Sequence, residues 1–104
     1  MGFYDGVSGT TDTASAAHLA RETGTPAILV VRPKGQSLSL AAMLSGFRNF
    51  AENTLCGVIL NGISDIMYSF YRDIVQKSGL KVLGYLPSVP EAEIPDRHLG
   101  LVTA

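Results

Sequence analysis

At 104 residues, 46% hydrophobic and 16% charged with 11 glycines, the chain has the composition of one globular domain or part of one, and not of a disordered segment. Its formal net charge of -1, with Lys and Arg scattered, gives no electrostatic case for a nucleic-acid or anionic-membrane partner. A single cysteine, Cys56, excludes a disulfide framework and a cysteine-based zinc site, and no apolar run approaches the ~20 residues that span a bilayer.

The opening MGFYDG makes Phe3-Tyr4 the end of a first strand, cut off on its N-terminal side, that runs into Asp5-Gly6 and the loop GVSGTTDT. A helix follows over 14–23 (ASAAHLARET), with Gly24 as its C-terminal cap. The run AILVV, opened by Pro26, is apolar throughout, as a strand covered on both faces would be. Helical spacing of Leu40, Met43, Leu44 and Phe47 marks 38–50. CGVIL (56–60) is a second apolar strand, and its cysteine is expected to be a buried, inert thiol. A helix over 64–78 carries Ile66, Met67, Phe70, Ile74 and Val75, with Ser64 capping its start and Gly79 ending it. KVLGYL (81–86) is a third strand, closed by Pro87. The segment after Leu86 holds three of the five prolines and reads as an irregular excursion over the sheet edge.

Strands alternating with helices predict an α/β fold with a parallel sheet and right-handed crossovers. Ligands of such sheets bind at the C-terminal ends of the strands. The loops at those ends are 5–12, 32–37, 61–62 and 87–93, and they are expected to converge on one rim.

Three features on that rim suit phosphate chemistry, each with a structural alternative. Asp5, at a strand end, is where phosphate-handling α/β proteins keep an acid linked to magnesium; it also suits a plain Asp-Gly turn. The loop GVSGTTDT, with Thr10 and Thr11, offers backbone N–H groups to an anion, or hydroxyls that merely cap the next helix. It is not a phosphate-binding GxxxxGK[ST] loop, and that motif occurs nowhere in the chain. Asn61 closes GVILN, where its amide can read a nucleobase or form an Asn-Gly turn. His18, His98 and Cys56 are too scattered for a Cys/His catalytic pair.

In order, MGFYDG, GTTDTASAAHLA, PAILVV, KGQSLSLAAMLSGF, GVILNGI, VLGYLP and IPDRHLGLV resemble the cobyrinic acid a,c-diamide synthases over essentially the whole chain. The ending IPDRHLGLV is the most specific piece. The resemblance implies a three-layer, parallel-sheet, P-loop NTPase-like (dethiobiotin synthetase-like) fold, truncated at the N-terminus. Residues 1–104 would be part of the synthetase domain of a cytoplasmic amidoligase, without its Walker A half and without its glutaminase domain. It further implies ATP and Mg²⁺ as cofactors. The substrate would be a corrin whose a- and c-carboxylates are amidated with ammonia released from glutamine. Asp5 matches the acid expected near magnesium and the reacting carboxylate. Asn61 matches an adenine-contacting asparagine, and Thr10 and Thr11 fall in the active-site loop. Many members carry an acid where this chain has Arg32-Pro33, so that loop receives no role.

Other readings are a dethiobiotin synthetase-like ligase, a partitioning-type ATPase and an inactive flavodoxin-like binding module. The IPDRHLGLV ending argues against the first two. The truncated sheet is expected to self-associate through its open edge and uncovered face.

Overall fold

The computed structural model describes residues 2–88, so IPDRHLGLV and the expected C-terminal excursion beyond Ser88 lie outside the described residues. Its elements run α1 (Ala16–Thr23), β1 (Ala27–Val31), α2 (Leu38–Asn49), β2 (Leu55–Asn61), α3 (Asp65–Lys77) and β3 (Val82–Leu86). The strands form one parallel sheet in the order β1-β2-β3, as the alternation predicts.

Local chemistry explains most of the boundaries. Ser15 takes the N-cap of α1, its hydroxyl accepting from the His18 N–H, so the helix begins two residues later than the pattern suggests. Gly24 closes α1, and its N–H reaches the carbonyls of Ala20 and Arg21. Ser64 caps α3 by accepting from the Met67 N–H, and Asp65 adds a favourable charge to the first turn.

The core lies between the sheet and the two crossover helices. Leu40, Ala41 and Leu44 of α2 meet Val58 and Leu60 of β2 and Ile74 and Val75 of α3. Leu40, Leu44 and Leu60 are fully buried. Each contributes about 1.5–3 kcal/mol by leaving water. Leu29 and Val31, partners in register of Val58 and Leu60, turn to the same side.

Four expectations are corrected. Phe3 and Tyr4 form a turn, not a strand end: the Asp5 N–H folds back to the Gly2 carbonyl (3.2 Å), and the rings pack on Phe47 and Phe50. A strand needs a neighbour to share its hydrogen bonds. β1 is an edge among the described residues, and the segment bonds within itself and to α1 instead, the Phe3 carbonyl accepting from the Ala17 N–H (3.0 Å).

Cys56 is exposed. Ala27 pairs with Leu55 and Ile28 with Gly57, which leaves Cys56 as the extra residue of a bulge. The helical spacing also overstated the core. Met43, Met67 and Phe70 are 38%, 38% and 43% exposed, and Ile66 is 90% exposed.

Finally, only one face of the sheet is well covered among the described residues. Ile28, Val30 and Leu83 point away from the core and stay about half exposed. The second covering layer of the expected three-layer arrangement is not seen there.

Candidate functional site

Asp5 and Asn61 stand by two separate clefts at opposite ends of the sheet, and Thr10 and Thr11 line neither. α2 runs back against the parallel strands, so its last turns lie by their N-terminal ends. There the opening turn (Gly2, Phe3, Tyr4, Asp5) and α2 (Met43, Gly46, Phe47, Phe50) enclose a cleft of about 380 Å³. Its walls are apolar and aromatic, with Tyr4 stacked on Phe47 at 6.3 Å between ring centres. Asp5 stands at this cleft, exposed, and its carboxylate makes no hydrogen bond or ion pair among the described residues.

The second cleft, about 540 Å³, opens at the C-terminal ends of the strands. Pro33 follows β1, Gly62, Ile63 and Ser64 follow β2, and Pro87 and Ser88 follow β3; Met67 and Tyr71 of α3 close one side. Asn61 directly precedes Gly62 on its wall. The N–H groups of Gly62 and Ile63 both bond the Leu86 carbonyl (2.8 and 3.2 Å), which fixes the turn beneath. Alternation along β2 turns Asn61 to the face opposite the core residues Val58 and Leu60. Its half-buried amide makes no side-chain hydrogen bond among the described residues. The two clefts share no residue, so the expected single rim holds Asn61 and not Asp5.

The loop between Asp5 and α1 is folded on itself. The Val7 N–H bonds the Thr13 carbonyl (3.0 Å) and the Ser15 N–H that of Asp12 (3.0 Å). Gly6 is required here, because the Thr13 oxygen lies 1.9 Å from where a Cβ would stand. Thr10 is held locally, its N–H donating to the Ser8 hydroxyl (3.1 Å) and the two hydroxyls 3.0 Å apart. Thr11 is exposed and its side chain makes no hydrogen bond among the described residues. Ser15 and His18, whose Nδ1 accepts from the Ala14 N–H (2.8 Å), occupy N–H groups at the start of α1. Those groups cap the helix and are not offered to an anion.

Two arrangements escaped the sequence reading. Arg21 bonds Asp12 (2.7 Å) and the Glu52 carbonyl (2.9 Å), tying the loop to α1 and to the approach to β2. The Arg21 hydrogen bond holds the Asp12 carboxyl below its usual range, and Asp12 in turn raises Arg21. Nothing local in the sequence marks this pair, which is set by folding. The aromatic cleft does leave a trace: Met43, Phe47 and Phe50 recur at helical spacing on a stripe offset from Leu40 and Leu44.

The chain is 41% identical over 103 residues to the cobyrinate a,c-diamide synthase of Clostridium tetani, which covers 98% of this chain. It is 43% identical over 106 residues to that of Clostridium acetobutylicum, again 98% of the chain. It is 42% identical over 110 residues, all of the chain, to the hydrogenobyrinate a,c-diamide synthase of Mycobacterium tuberculosis. The chain is a homologue of the cobyrinate and hydrogenobyrinate a,c-diamide synthases. The resemblance carried by MGFYDG, GVILNGI and IPDRHLGLV is therefore borne out. The chain spans 23–24% of the length of these synthases. No family model and no solved structure matches it. No helix among the described residues is long and apolar enough to cross a membrane.

Proposed function

We propose that this chain is part of an ATP- and Mg²⁺-dependent, glutamine-dependent amidoligase of cobalamin biosynthesis that converts the a- and c-carboxylates of cobyrinate to amides. What supports the reading is identity of 41–43% over 98–100% of the chain to synthases named for that diamide. The P-loop-like fold, the cytoplasmic location and the ligand set belong to the same proposal.

The chemistry divides into two displacements. A substrate carboxylate oxygen bonds the γ-phosphorus of ATP as the bond to the ADP oxygen breaks, leaving an acyl phosphate. Ammonia then bonds the carbonyl carbon, inorganic phosphate departs, and the nitrogen loses a proton to leave the amide. Such transfers rest on positioning and charge neutralisation more than on covalent catalysis.

The side chains present suit these tasks one at a time: Asp5 and Asn61 stand in separate clefts at opposite ends of the sheet, so one ATP does not span both in this structure, and the reading rests on the sequence identity. Asp5 offers an unengaged, exposed carboxylate, the single protein ligand that Mg²⁺ commonly takes alongside water and phosphate oxygens. Mg²⁺ held there would offset phosphate charge. Asn61 offers an amide that both donates and accepts, beside a cleft with apolar walls, as an adenine requires. Thr11, with an uncommitted hydroxyl, suits a phosphate contact better than Thr10, which is bonded to Ser8.

The experiment is a graft. Residues 1–104 replace the matching segment of the Clostridium acetobutylicum synthase, and amide formation from cobyrinate, glutamine and ATP is assayed. An active graft is expected. A folded graft with no amide formation, beside an active parent, would overturn the reading.

A further inference from the structure

The turn that follows Asn61 is gripped at both ends by two successive residues of β3. The Leu86 carbonyl accepts from the N–H groups of Gly62 (2.8 Å) and Ile63 (3.2 Å), at the start of the turn. The Tyr85 hydroxyl donates to the Asp65 carboxylate (2.5 Å), at its end, where α3 begins. Gly62, Ile63 and Ser64 lie between these ties and line the second cleft, as do Pro87 and Ser88 just beyond Leu86. Tyr85 is well held for this task. Its backbone is in register with Leu60 of β2. Its half-buried ring stacks on Tyr68 of α3, with 4.3 Å between ring centres, and the Arg72 guanidinium stands 5.7 Å from the Tyr68 ring centre. A ring fixed in this way brings its hydroxyl to Asp65 with little further loss of rotamer freedom. The Asp65 hydrogen bond pushes the Tyr85 phenol above its usual range, so the proton stays on the donor. The turn has less to hold it: Gly62 stands at φ +72°, Ile63 alone enters the core, and Ser64 and Asp65 are exposed.

We infer that Tyr85, acting through Asp65, is a positioning residue for the nucleotide, holding the 62–65 turn beside Asn61 in the shape that receives it. The inference rests on the reading that the Asn61 cleft takes ATP. Among the described residues, neither Tyr85 nor Asp65 lines the cleft, so their effect on a ligand passes through the turn. Without the Tyr85 bond the turn stays tied at Leu86 but swings at its Asp65 end. A ligand must then order it on binding, which weakens affinity and leaves the chemical step alone.

ATP binding to the grafted synthase, measured by calorimetry apart from amide formation, tests this. Tyr85→Phe keeps the stacked ring and should raise the Kd for ATP about fivefold, the worth of one hydrogen bond. KM for ATP should rise alike, with kcat unchanged. Asp65→Asn keeps an oxygen for the hydroxyl and should bind ATP as wild type does. Asp65→Ala should match Tyr85→Phe, and the two together should be no worse than either alone. Ser78→Ala removes two hydrogen bonds at the far end of α3 and reports lost stability by itself, so it should leave the Kd unchanged. An unchanged Kd for Tyr85→Phe overturns the inference. So do additive effects of Tyr85→Phe and Asp65→Ala, or an equal rise with Ser78→Ala. A graft that shows the expected binding effects yet forms no amide upholds the positioning role and overturns the ligase reading. A folded graft that binds no ATP overturns both.

Discussion

The Tyr4 hydroxyl donates to the Phe47 carbonyl (2.5 Å) and accepts from the Asn53 amide (3.0 Å). One phenol thus joins the opening turn to the end of α2 and to the approach to β2. Phe47, stacked on the same ring, forms a wall of the Asp5 cleft. Tyr4→Phe keeps the ring and removes both bonds. The expected cost is about 1 kcal/mol in unfolding free energy, read by urea denaturation with an unchanged slope. An unchanged midpoint would mean that the opening segment is not docked on α2.

Ala14 stands at φ +66°, where an L side chain crowds its own backbone. Ser15 beside it is buried and caps α1. Ala14→Gly should therefore stabilise the chain by about 0.5–1 kcal/mol, the relieved strain less the added freedom of the unfolded state. Ser15→Ala should destabilise it by about 1 kcal/mol. Thermal melts showing the same sign for both would contradict this view of the turn.

The Asp12–Arg21 pair sets an acid dependence. The folded pKa of Asp12 lies below the ordinary aspartate value, chiefly through the Arg21 hydrogen bond. Its stabilising effect is complete above the unfolded value and is lost as pH falls through the folded one. Arg21 stays charged throughout this range. Melting temperature should fall more steeply for wild type than for Asp12→Asn as pH drops below about 4. Parallel curves would show that the pair does not persist in solution.

In the grafted synthase, the proposed role of Asp5 beside Mg²⁺ predicts that Asp5→Asn costs about 100-fold or more in kcat, through loss of charge at the transferring phosphoryl group. Asn61→Ala should raise KM for ATP about tenfold with kcat little changed, because a nucleobase contact is made equally in ground and transition states. Reversed effects would exchange the two roles. The 104-residue chain alone, which contains no GxxxxGK[ST], should hydrolyse ATP negligibly in a phosphate-release assay.

Local rules account for what the sequence determined by itself. Apolar runs, serine caps and the Gly24 stop depend on neighbours a few residues away, and they placed the three strands and three helices of the described residues within about two residues. Homology to the diamide synthases was legible too, because it resides in the order of residues and not in their contacts. Tertiary structure decided the rest. Phe3-Tyr4 has strand-like residues, yet hydrogen bonding has to be satisfied somewhere: the Phe3 carbonyl accepts from the Ala17 N–H and the Tyr4 hydroxyl donates to the Phe47 carbonyl, both on helices. Cys56 lies in an apolar run but became the unpaired residue of a bulge, which only the register with β1 could set. Asp5 and Asn61 both follow apolar stretches and so looked alike in sequence. They lie at opposite ends of the sheet because α2 runs against the strands and carries the Asp5 cleft to their N-terminal ends.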